Sequence, residues 1–238
     1  MLERGLAESR SQAQALILAG KVRVAGQTET KASRKIPDDA SVEIEAPPRF
    51  VSRGGEKLEG AFALWPDFLD VAGKACLDVG SSTGGFTDCL LQHGARQVMA
   101  VDVGTNQLAY KLRVDPRVWV KENFNARYMT SADLPGVPEV AVTDVSFISL
   151  RLILPPIRDV LSPGGLAVAL IKPQFEVGKG NAPGGFVADP DIRIEARDGI
   201  VRFAREELAL ELLGLAESPI KGREKGNTEY LSLWRKKS

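Results

Sequence analysis

Beyond residue 70 the sequence alternates short apolar runs with longer segments of helical character. Five runs rich in Val, Ile, Leu and Ala have the length of buried strands, at residues 75–80, 97–102, 117–121, 139–145 and 166–171. Two more strands are predicted over 211–218 and 228–235, after a helix over 191–209. Strands that alternate with helices favour a largely parallel sheet with helices on both faces. The sequence therefore predicts a doubly wound α/β domain with a seven-stranded, mostly parallel sheet.

The first 46 residues follow a different pattern and predict a small α+β module. Apolar residues at helical spacing over 2–20 are interrupted near Ser9, which predicts two short helices, and two alternating stretches follow in KVRVAGQ and SVEIEA. The chain has no net charge, but residues 1–35 hold seven basic and three acidic side chains. Such a segment suits phosphate binding, although a solvated charged face explains it equally well. The candidate RNA contacts are Arg4, Arg10, Lys21 and Arg23.

These patterns divide the chain into three parts. They are a small module over 1–46, a linker and entry helix over 47–59 that starts with two prolines, and a large domain over 60–238. An apolar run of the roughly eighteen residues needed to span a membrane is lacking, and the N-terminus does not resemble a signal peptide. Cys76 and Cys89 fit no metal-ligand or redox spacing. We therefore expect a cytoplasmic protein that requires no metal.

A glycine-rich turn follows the first strand of the large domain, in LDVGSSTGGFTDCL. The next strand ends at Asp102, where a carboxylate can accept hydrogen bonds from ribose hydroxyls. The turn matches neither the G-x-G-x-x-G pattern of dinucleotide sites nor a phosphate-binding loop. S-adenosylmethionine carries no phosphate, so the turn suits this cofactor. The candidate cofactor-binding residues are Asp78, Gly80, Ser81, Thr83, Gly84, Gly85, Phe86, Asp102 and Asp144, with Asn123 and Phe124 as weaker candidates near the adenine.

The same turn also matches the G-x-S-x-G elbow of hydrolases, with Ser82 as the nucleophile. In that fold a histidine base comes late in the chain, after an acidic residue. The chain has one histidine, His93, which lies eleven residues after Ser82 in the next helical segment. A hydrolase triad is therefore not predicted.

Four ionisable residues lie at the ends of predicted elements: Lys57, Asp144, Lys172 and Glu229. Asp144 and Lys172 follow strands and should meet at the edge of the sheet where α/β proteins bind ligands. Methyl transfer to a ribose hydroxyl needs a base, because the hydroxyl is a poor acid near neutral pH. A lysine can serve when its surroundings favour the neutral amine. We expect Lys172 to be the base, Asp144 and Glu229 to orient it, and Lys57 to orient or stabilise the developing oxyanion.

Several segments together resemble a known family. LDVGSSTGGFTDCL, TDVSFISL, IKPQFEVGKG and GNTEY, with SRGGEKL upstream, are similar to the TlyA (haemolysin A-like) proteins, which are rRNA 2′-O-methyltransferases related to the FtsJ/RrmJ group. Residues 1–46 resemble the S4 RNA-binding domain. The resemblance implies a Rossmann-like methyltransferase domain, S-adenosylmethionine as cofactor, and ribosomal RNA or a ribosomal subunit as partner. It maps the family's Lys-Asp-Lys-Glu tetrad onto Lys57, Asp144, Lys172 and Glu229.

Two alternatives belong to other functional classes. A haemolysin-like cytolysin is disfavoured, because the sequence shows no signal peptide, amphipathic membrane hairpin or cysteine framework. A non-catalytic RNA-binding protein with a vestigial methyltransferase fold is disfavoured by the intact turn and tetrad. Residues 176–190, rich in glycine and proline, are expected to form a loop beside the active site that is poorly ordered without RNA and closes over the target ribose.

Overall fold

The computed structural model describes residues 1–46, 48–178, 180–222 and 226–237. The chain divides into two compact units, Met1–Arg49 and Phe50–Ser238. Pro47, the first residue of the predicted linker, lies outside the described residues. The predicted entry helix is part of the second unit.

The first unit combines one helix with a three-stranded antiparallel sheet. Its elements are α1 (Arg10–Leu18), β1 (Val22–Val24), β2 (Gln27–Glu29) and β3 (Val42–Ile44), and the strand order is β2-β1-β3. The hydroxyl of Ser9 caps α1 by accepting a hydrogen bond from the amide of Gln12. This side-chain cap fixes where the helix begins.

Two details of the first unit differ from the sequence predictions. Residues 2–5 form turns instead of the first predicted helix, because Gly5 takes a positive φ of 66°, which a helix does not accommodate. The stretch KVRVAGQ is a tight hairpin rather than one strand. Ala25 and Gly26 have φ values of 48° and 79°, as a two-residue hairpin turn requires.

The second unit is built on a seven-stranded sheet. Its strands are β4 (Ala75–Val79), β5 (Gln97–Val101), β6 (Val118–Lys121), β7 (Val140–Thr143), β8 (Leu166–Ile171), β9 (Leu210–Glu217) and β10 (Tyr230–Lys236). Their order is β6-β5-β4-β7-β8-β10-β9. Neighbouring strands are parallel from β6 to β8, whereas β10 is antiparallel to both β8 and β9. The predicted seven-stranded, mostly parallel sheet is confirmed.

Helices cover both faces of this sheet. They are α2 (Arg53–Leu64), α3 (Gly85–Gln92), α4 (Tyr110–Arg113), α5 (Leu150–Val160), α6 (Pro173–Glu176) and α7 (Pro190–Glu206). One core contains Leu58 of α2 and Leu90 of α3, and the other contains Leu154 of α5 and Ile200 of α7. The central strands are buried on both faces, which explains their continuous apolar sequences. Within the described residues, no helix has the length and apolar character needed to cross a lipid bilayer.

The strand order determines where a ligand-binding crevice can form. After β4 the chain moves outward through β5 and β6, and it then returns to place β7 on the other side of β4. In sheets of this kind the connections diverge at the reversal point, and a crevice opens at the carboxyl ends of the two central strands. Here those strands are β4 and β7, which end at Val79 and Thr143.

The packing of Trp65 against β9 gives a test of the fold. A Cβ atom at Gly214 would lie 2.2 Å from the indole nitrogen of Trp65, so the ring or the strand must move. We expect Gly214→Ala to lower the free energy of unfolding by about 1–3 kcal/mol. Gly136→Ala is the matched control, because no described atom lies within 4 Å of a Cβ there. Urea unfolding measures both variants, and equal midpoints would contradict this packing.

Candidate active site

The four residues of the tetrad meet at the carboxyl edge of the sheet. Lys57 comes from α2, Asp144 follows β7, Lys172 follows β8, and Glu229 precedes β10. Asp144 lies between the two lysines, with Oδ1 2.6 Å from Nζ of Lys172 and Oδ2 3.4 Å from Nζ of Lys57. Nζ of Lys57 also lies 2.7 Å from Oε2 of Glu229. The contacts run in one row from Glu229 through Lys57 and Asp144 to Lys172.

The tetrad is largely removed from solvent. Lys57, Lys172 and Glu229 are buried, and 19% of the Asp144 side chain is exposed. Two ammonium and two carboxylate groups balance in charge, as partial burial of such groups requires. Nζ of Lys172 also donates a hydrogen bond of 2.9 Å to the hydroxyl of Ser146. The contact of Lys172 with Asp144 is an ion pair, and Oδ1 of Asp144 has no hydrogen-bond partner among the described residues.

The position of Glu229 corrects one expectation. We expected both carboxylates of the tetrad to orient Lys172, but the ion pair that the structure gives Glu229 is with Lys57. Strand register places Glu229 next to Lys172, because Tyr230 pairs with Ile171. Its side chain nevertheless points to α2, a direction that pairing between strands does not determine. Asp144 is therefore the carboxylate that holds Lys172.

All four tetrad residues line one cavity of about 800 Å³. This volume lies within the range of sites for small molecules. The glycine-rich turn, defined here as residues 80–85, also lines this cavity, together with Phe86. Six of the candidate cofactor residues line the cavity: Gly80, Ser81, Thr83, Gly85, Phe86 and Asp144. The tetrad and most of the turn thus face the same space.

Two glycines of the turn are required for different reasons. Gly80 has a φ of 82°, and a Cβ there would lie 2.9 Å from the side chain of Val145, so β4 and the loop after β7 come close only with glycine. Gly84 has a φ of 98°, and its Cβ position would lie 2.3 Å from Leu112. Gly84 therefore faces the protein interior behind the turn, whereas Gly80 borders the cavity.

Asp102 lies behind the turn and holds it in place. Its Oδ2 accepts a hydrogen bond of 2.7 Å from the amide of Ser82, and its Oδ1 accepts one of 2.6 Å from the amide of Gly104. Asn123 and Phe124 lie beside it, because their amides bond to the carbonyls of Gly104 and Asp102. These three candidates are close to one another but do not line the cavity that contains the tetrad.

Asp78 is buried beneath the turn, also outside the cavity wall. Its Oδ2 accepts a hydrogen bond of 2.7 Å from the hydroxyl of Thr87 in α3. Burial raises the pKa of Asp78 to about 7, an effect that the hydrogen bonds from Thr87 only partly offset. Among the described residues, its Oδ1 finds no hydrogen-bond partner. The structure thus places Asp78 as a support between β4 and α3.

Sequence analysis missed several residues around Lys172. The carboxylate of Glu176 accepts hydrogen bonds from the amide of Leu150 at 2.8 Å and from the hydroxyl of Ser149, which joins α6 to the start of α5. Burial raises the pKa of Glu176. Phe147, exposed by 84% and with a φ of 64°, lines the cavity beside Phe175, and their ring centroids are 5.2 Å apart. Glu176 and Phe147 belong to no repeating pattern of apolar and polar residues, so the sequence gives no signal that identifies them.

The segment 176–190 borders the cavity through Gly184 and Gly185. Asn227 fastens it, since its amide nitrogen donates to the carbonyl of Gly185 at 2.8 Å and its oxygen accepts from the amide of Val187 at 3.1 Å. Lys179 lies outside the described residues. The expected closure of this segment over a ribose stays a prediction.

The four basic candidates of the first unit fall into two pairs. Arg4 donates to the carbonyl of Ala40 at 2.6 Å, and Lys21 pairs with Glu45 at 3.1 Å, so both contact their own unit. Arg10 at the start of α1 and Arg23 in the middle of β1 are exposed and form no ion pair with any described residue. Arg10 and Arg23 are thus the better placed to contact a phosphate.

Both units have relatives among known proteins. Residues 50–236 match the FtsJ-like methyltransferase family, and residues 1–42 match the S4 domain. The chain is 45% identical to "16S/23S rRNA (cytidine-2'-O)-methyltransferase TlyA" of Mycobacterium tuberculosis, over 98% of this chain and 87% of the relative. It is 46% identical to "Hemolysin A" of Brachyspira hyodysenteriae, over 96% and 94%. A solved Streptococcus thermophilus structure, described as a hemolysin, has a TM-score of 0.78 at 43% identity, covering 99% of this chain and 86% of that one.

The buried carboxyl of Asp78 predicts a pH dependence of stability. Its pKa is about 7 in the folded protein and 3.8 for an ordinary aspartate, so between these values the folded state binds more protons than the unfolded state. Stability should therefore fall as the pH rises from about 4 to about 7. We expect Asp78→Asn to flatten this part of the curve, and the exposed Asp67→Asn to leave it unchanged. Urea unfolding across this range measures both, and equal slopes for wild type and Asp78→Asn would contradict the assignment.

Proposed function

The chain belongs to the FtsJ-like methyltransferase family and carries an S4 domain at its N-terminus, and on this premise we propose that it transfers a methyl group from S-adenosylmethionine to ribose 2′-hydroxyls of ribosomal RNA. The observation that carries the proposal is the tetrad on the wall of the cavity that the glycine-rich turn also lines. The name of the M. tuberculosis relative supports the reaction and the substrate. An enzyme with this substrate works in the cytoplasm, and that location is part of the proposal.

The cavity has features that fit the cofactor, which supplies a methyl group on an electrophilic sulfonium. The wall at Gly80 has no side chain, and the volume of about 800 Å³ leaves room for a nucleotide beside the cofactor. Ser81, Thr83, Gly85 and Phe86 are proposed to hold the cofactor from the turn. Gly84 and Asp78 support the turn from behind.

Asp102 is proposed to bind the ribose of the cofactor. A carboxylate has about four acceptor positions, and the amides of Ser82 and Gly104 use two of those on Asp102. Asn123 and Phe124 adjoin Asp102 through the backbone, so they are proposed to lie near the adenine. Asp144, which we also expected near the cofactor, is proposed to act mainly through the two lysines that it contacts.

Lys172 is proposed to take the proton from the ribose hydroxyl. To act as a base, Lys172 must be the neutral amine, whose nitrogen contacts Asp144 and Ser146 and keeps one lone pair that can accept the hydroxyl proton. Glu229 is committed to Lys57, and Asp144 is shared by both lysines. Lys57 is proposed to stabilise the oxygen as negative charge develops there. Positioning and proton removal together account for the catalysis that a reactive sulfonium needs.

The alternatives explain less of the structure. A non-catalytic RNA-binding protein would need the S4 unit but would have no use for three buried ionisable groups and one partly buried group on a cavity wall. Retaining such groups is costly, because each buried charge must be fully compensated. A cytolysin draws support only from the names of similar proteins, one a relative and one a solved structure.

Substitution of Lys172 tests the proposed base. Lys172→Ala should reduce methyl transfer by about 10²–10⁴ while cofactor affinity changes little. Lys172→Arg should remain impaired, because a guanidinium stays protonated and cannot accept the hydroxyl proton. Lys74→Ala is the control, because that amine bonds to the carbonyl of Asp70 before the start of β4, away from the cavity. Single-turnover transfer against pH and cofactor calorimetry give the two readouts. A near-normal rate in Lys172→Arg would leave positioning, and not proton removal, as the role of this residue.

Substitution of Arg10 and Arg23 tests the RNA-binding role of the first unit. The double alanine variant should bind rRNA more weakly, and each lost phosphate contact should reduce the slope of log affinity against log salt by about 0.7–0.9. Cofactor affinity should not change. The double alanine variant of Arg202 and Arg205, exposed residues of α7, loses the same charge and serves as the control. Equal losses in both variants would show an effect of net charge and exclude specific phosphate contacts.

A further inference from the structure

Away from the tetrad, three side chains of metal-binding types converge between α2 and α3. Glu59 comes from α2, Cys89 from α3, and His93 lies one turn after Cys89 at the end of α3. One ligand atom from each lies within 4.8 Å of the other two. Nε2 of His93 is 2.7 Å from Oε2 of Glu59, and Sγ of Cys89 is 3.8 Å from the same oxygen.

These separations are close to those of a zinc site. Zn²⁺ binds sulfur at about 2.3 Å and nitrogen or oxygen at about 2.0–2.2 Å, so neighbouring ligand atoms of a tetrahedron are roughly 3.3–3.6 Å apart. The sulfur–oxygen distance in this cluster is 3.8 Å, and the nitrogen–oxygen distance of 2.7 Å is that of a hydrogen bond. Lengthening that contact by about 0.6–0.7 Å, through rotation of the Glu59 carboxylate, would admit the ion.

The surroundings of the three side chains fix the orientation of His93 and leave one side of the cluster open to solvent. The ring of His93 stacks on Phe62 of α2, with centroids 3.7 Å apart and an interplanar angle of 7°. The stacking fixes the ring while Nε2 points to Glu59. Cys89 is buried, whereas 28% of the His93 side chain and 31% of the Glu59 side chain are exposed. A cation can therefore enter from the solvent side, where a water molecule can act as the fourth ligand.

We propose that Glu59, Cys89 and His93 form a zinc-binding site that clamps α2 to α3. The ligand types favour zinc, because thiolate and imidazole suit this ion, whereas Mg²⁺ and Ca²⁺ take oxygen ligands. On binding, the thiol of Cys89 loses its proton to solvent and His93 coordinates through a neutral nitrogen. Affinity therefore falls as the pH falls. The site does not depend on methyl transfer.

The position of the clamp gives it a structural effect. α2 carries Lys57, and α3 begins at the glycine-rich turn, so the ion would join the two helices that flank the cavity. The spacing of the two cysteines along the chain does not predict this site. The histidine that completes the set is one helical turn from Cys89, and Glu59 is thirty residues away on another helix.

Metal titration of the full-length protein, after removal of any affinity tag and treatment with a chelator, tests the site. We expect one Zn²⁺ per chain by calorimetry and a rise in the thermal unfolding midpoint that depends on the Zn²⁺ concentration. Co²⁺, used as a spectroscopic probe, should give the intense near-ultraviolet charge-transfer band of a thiolate ligand. Absence of stoichiometric Zn²⁺ binding would overturn the proposal, whatever the methyltransferase assay shows.

Variants identify the ligands. Cys89→Ala should abolish the Co²⁺ band, and Glu59→Gln and His93→Gln should each weaken Zn²⁺ binding by more than about tenfold. Cys76→Ala is the control, because burial raises the pKa of the Cys76 thiol to about 12 and this residue should not bind metal. A band that survives Cys89→Ala, or that disappears in Cys76→Ala, would overturn the site. Glu59 is partly exposed, so we expect Glu59→Gln to fold. Its Zn²⁺ affinity therefore tests the site even if Cys89→Ala fails to fold.

Discussion

The candidate active site depends on one carboxylate, that of Asp144, which lies between two buried lysines. If Asp144 were neutral, two ammonium groups would face each other in a largely dry cavity wall. Removing one partner of a buried ion pair typically costs about 3–5 kcal/mol, because the remaining charge stays uncompensated. Lys57 and Lys172 come from α2 and from the end of β8, so this single carboxylate also fixes the distance between two elements that are far apart in sequence. The strand order, which sets β7 between β4 and β8, brings the carboxylate to that position.

The fold was predictable because its central strands are buried on both faces and therefore appear as uninterrupted apolar runs. The same signal shows which residues end each strand, and so it brought Asp144 and Lys172 to one edge of the sheet. It does not show where a side chain points once the strand has ended. Glu229 was expected to orient Lys172 but pairs with Lys57. The first predicted helix is absent because Gly5 takes a positive φ, and the strand predicted in KVRVAGQ ends at Val24 because Ala25 and Gly26 take positive φ angles.

The glycine-rich motif combines two physical tasks that the sequence cannot separate. Gly80 and its neighbours border the cavity, whereas Asp78, Gly84 and Asp102 shape the turn from the other side. Substitution of Asp78 or Gly84 would alter the cavity through the backbone, whereas Asp102 supports the turn and is also proposed to bind the ribose of the cofactor. A sequence motif of this kind therefore includes both residues that line the cavity and residues that hold the turn in the shape that the cavity requires.

The antiparallel strand β10 has a kinetic consequence. It pairs with β8 on one side and β9 on the other, so β9 has no partner in the sheet until β10 enters between them. Glu229 stands at the start of β10, and its partner Lys57 lies in the first helix of the same unit. Contacts between distant parts of a chain form late in folding, because a long loop must first be closed. The turn and the first five strands supply Lys57 with Asp144 alone as a carboxylate partner, and full charge compensation in the cavity requires β10 to be in place with Glu229.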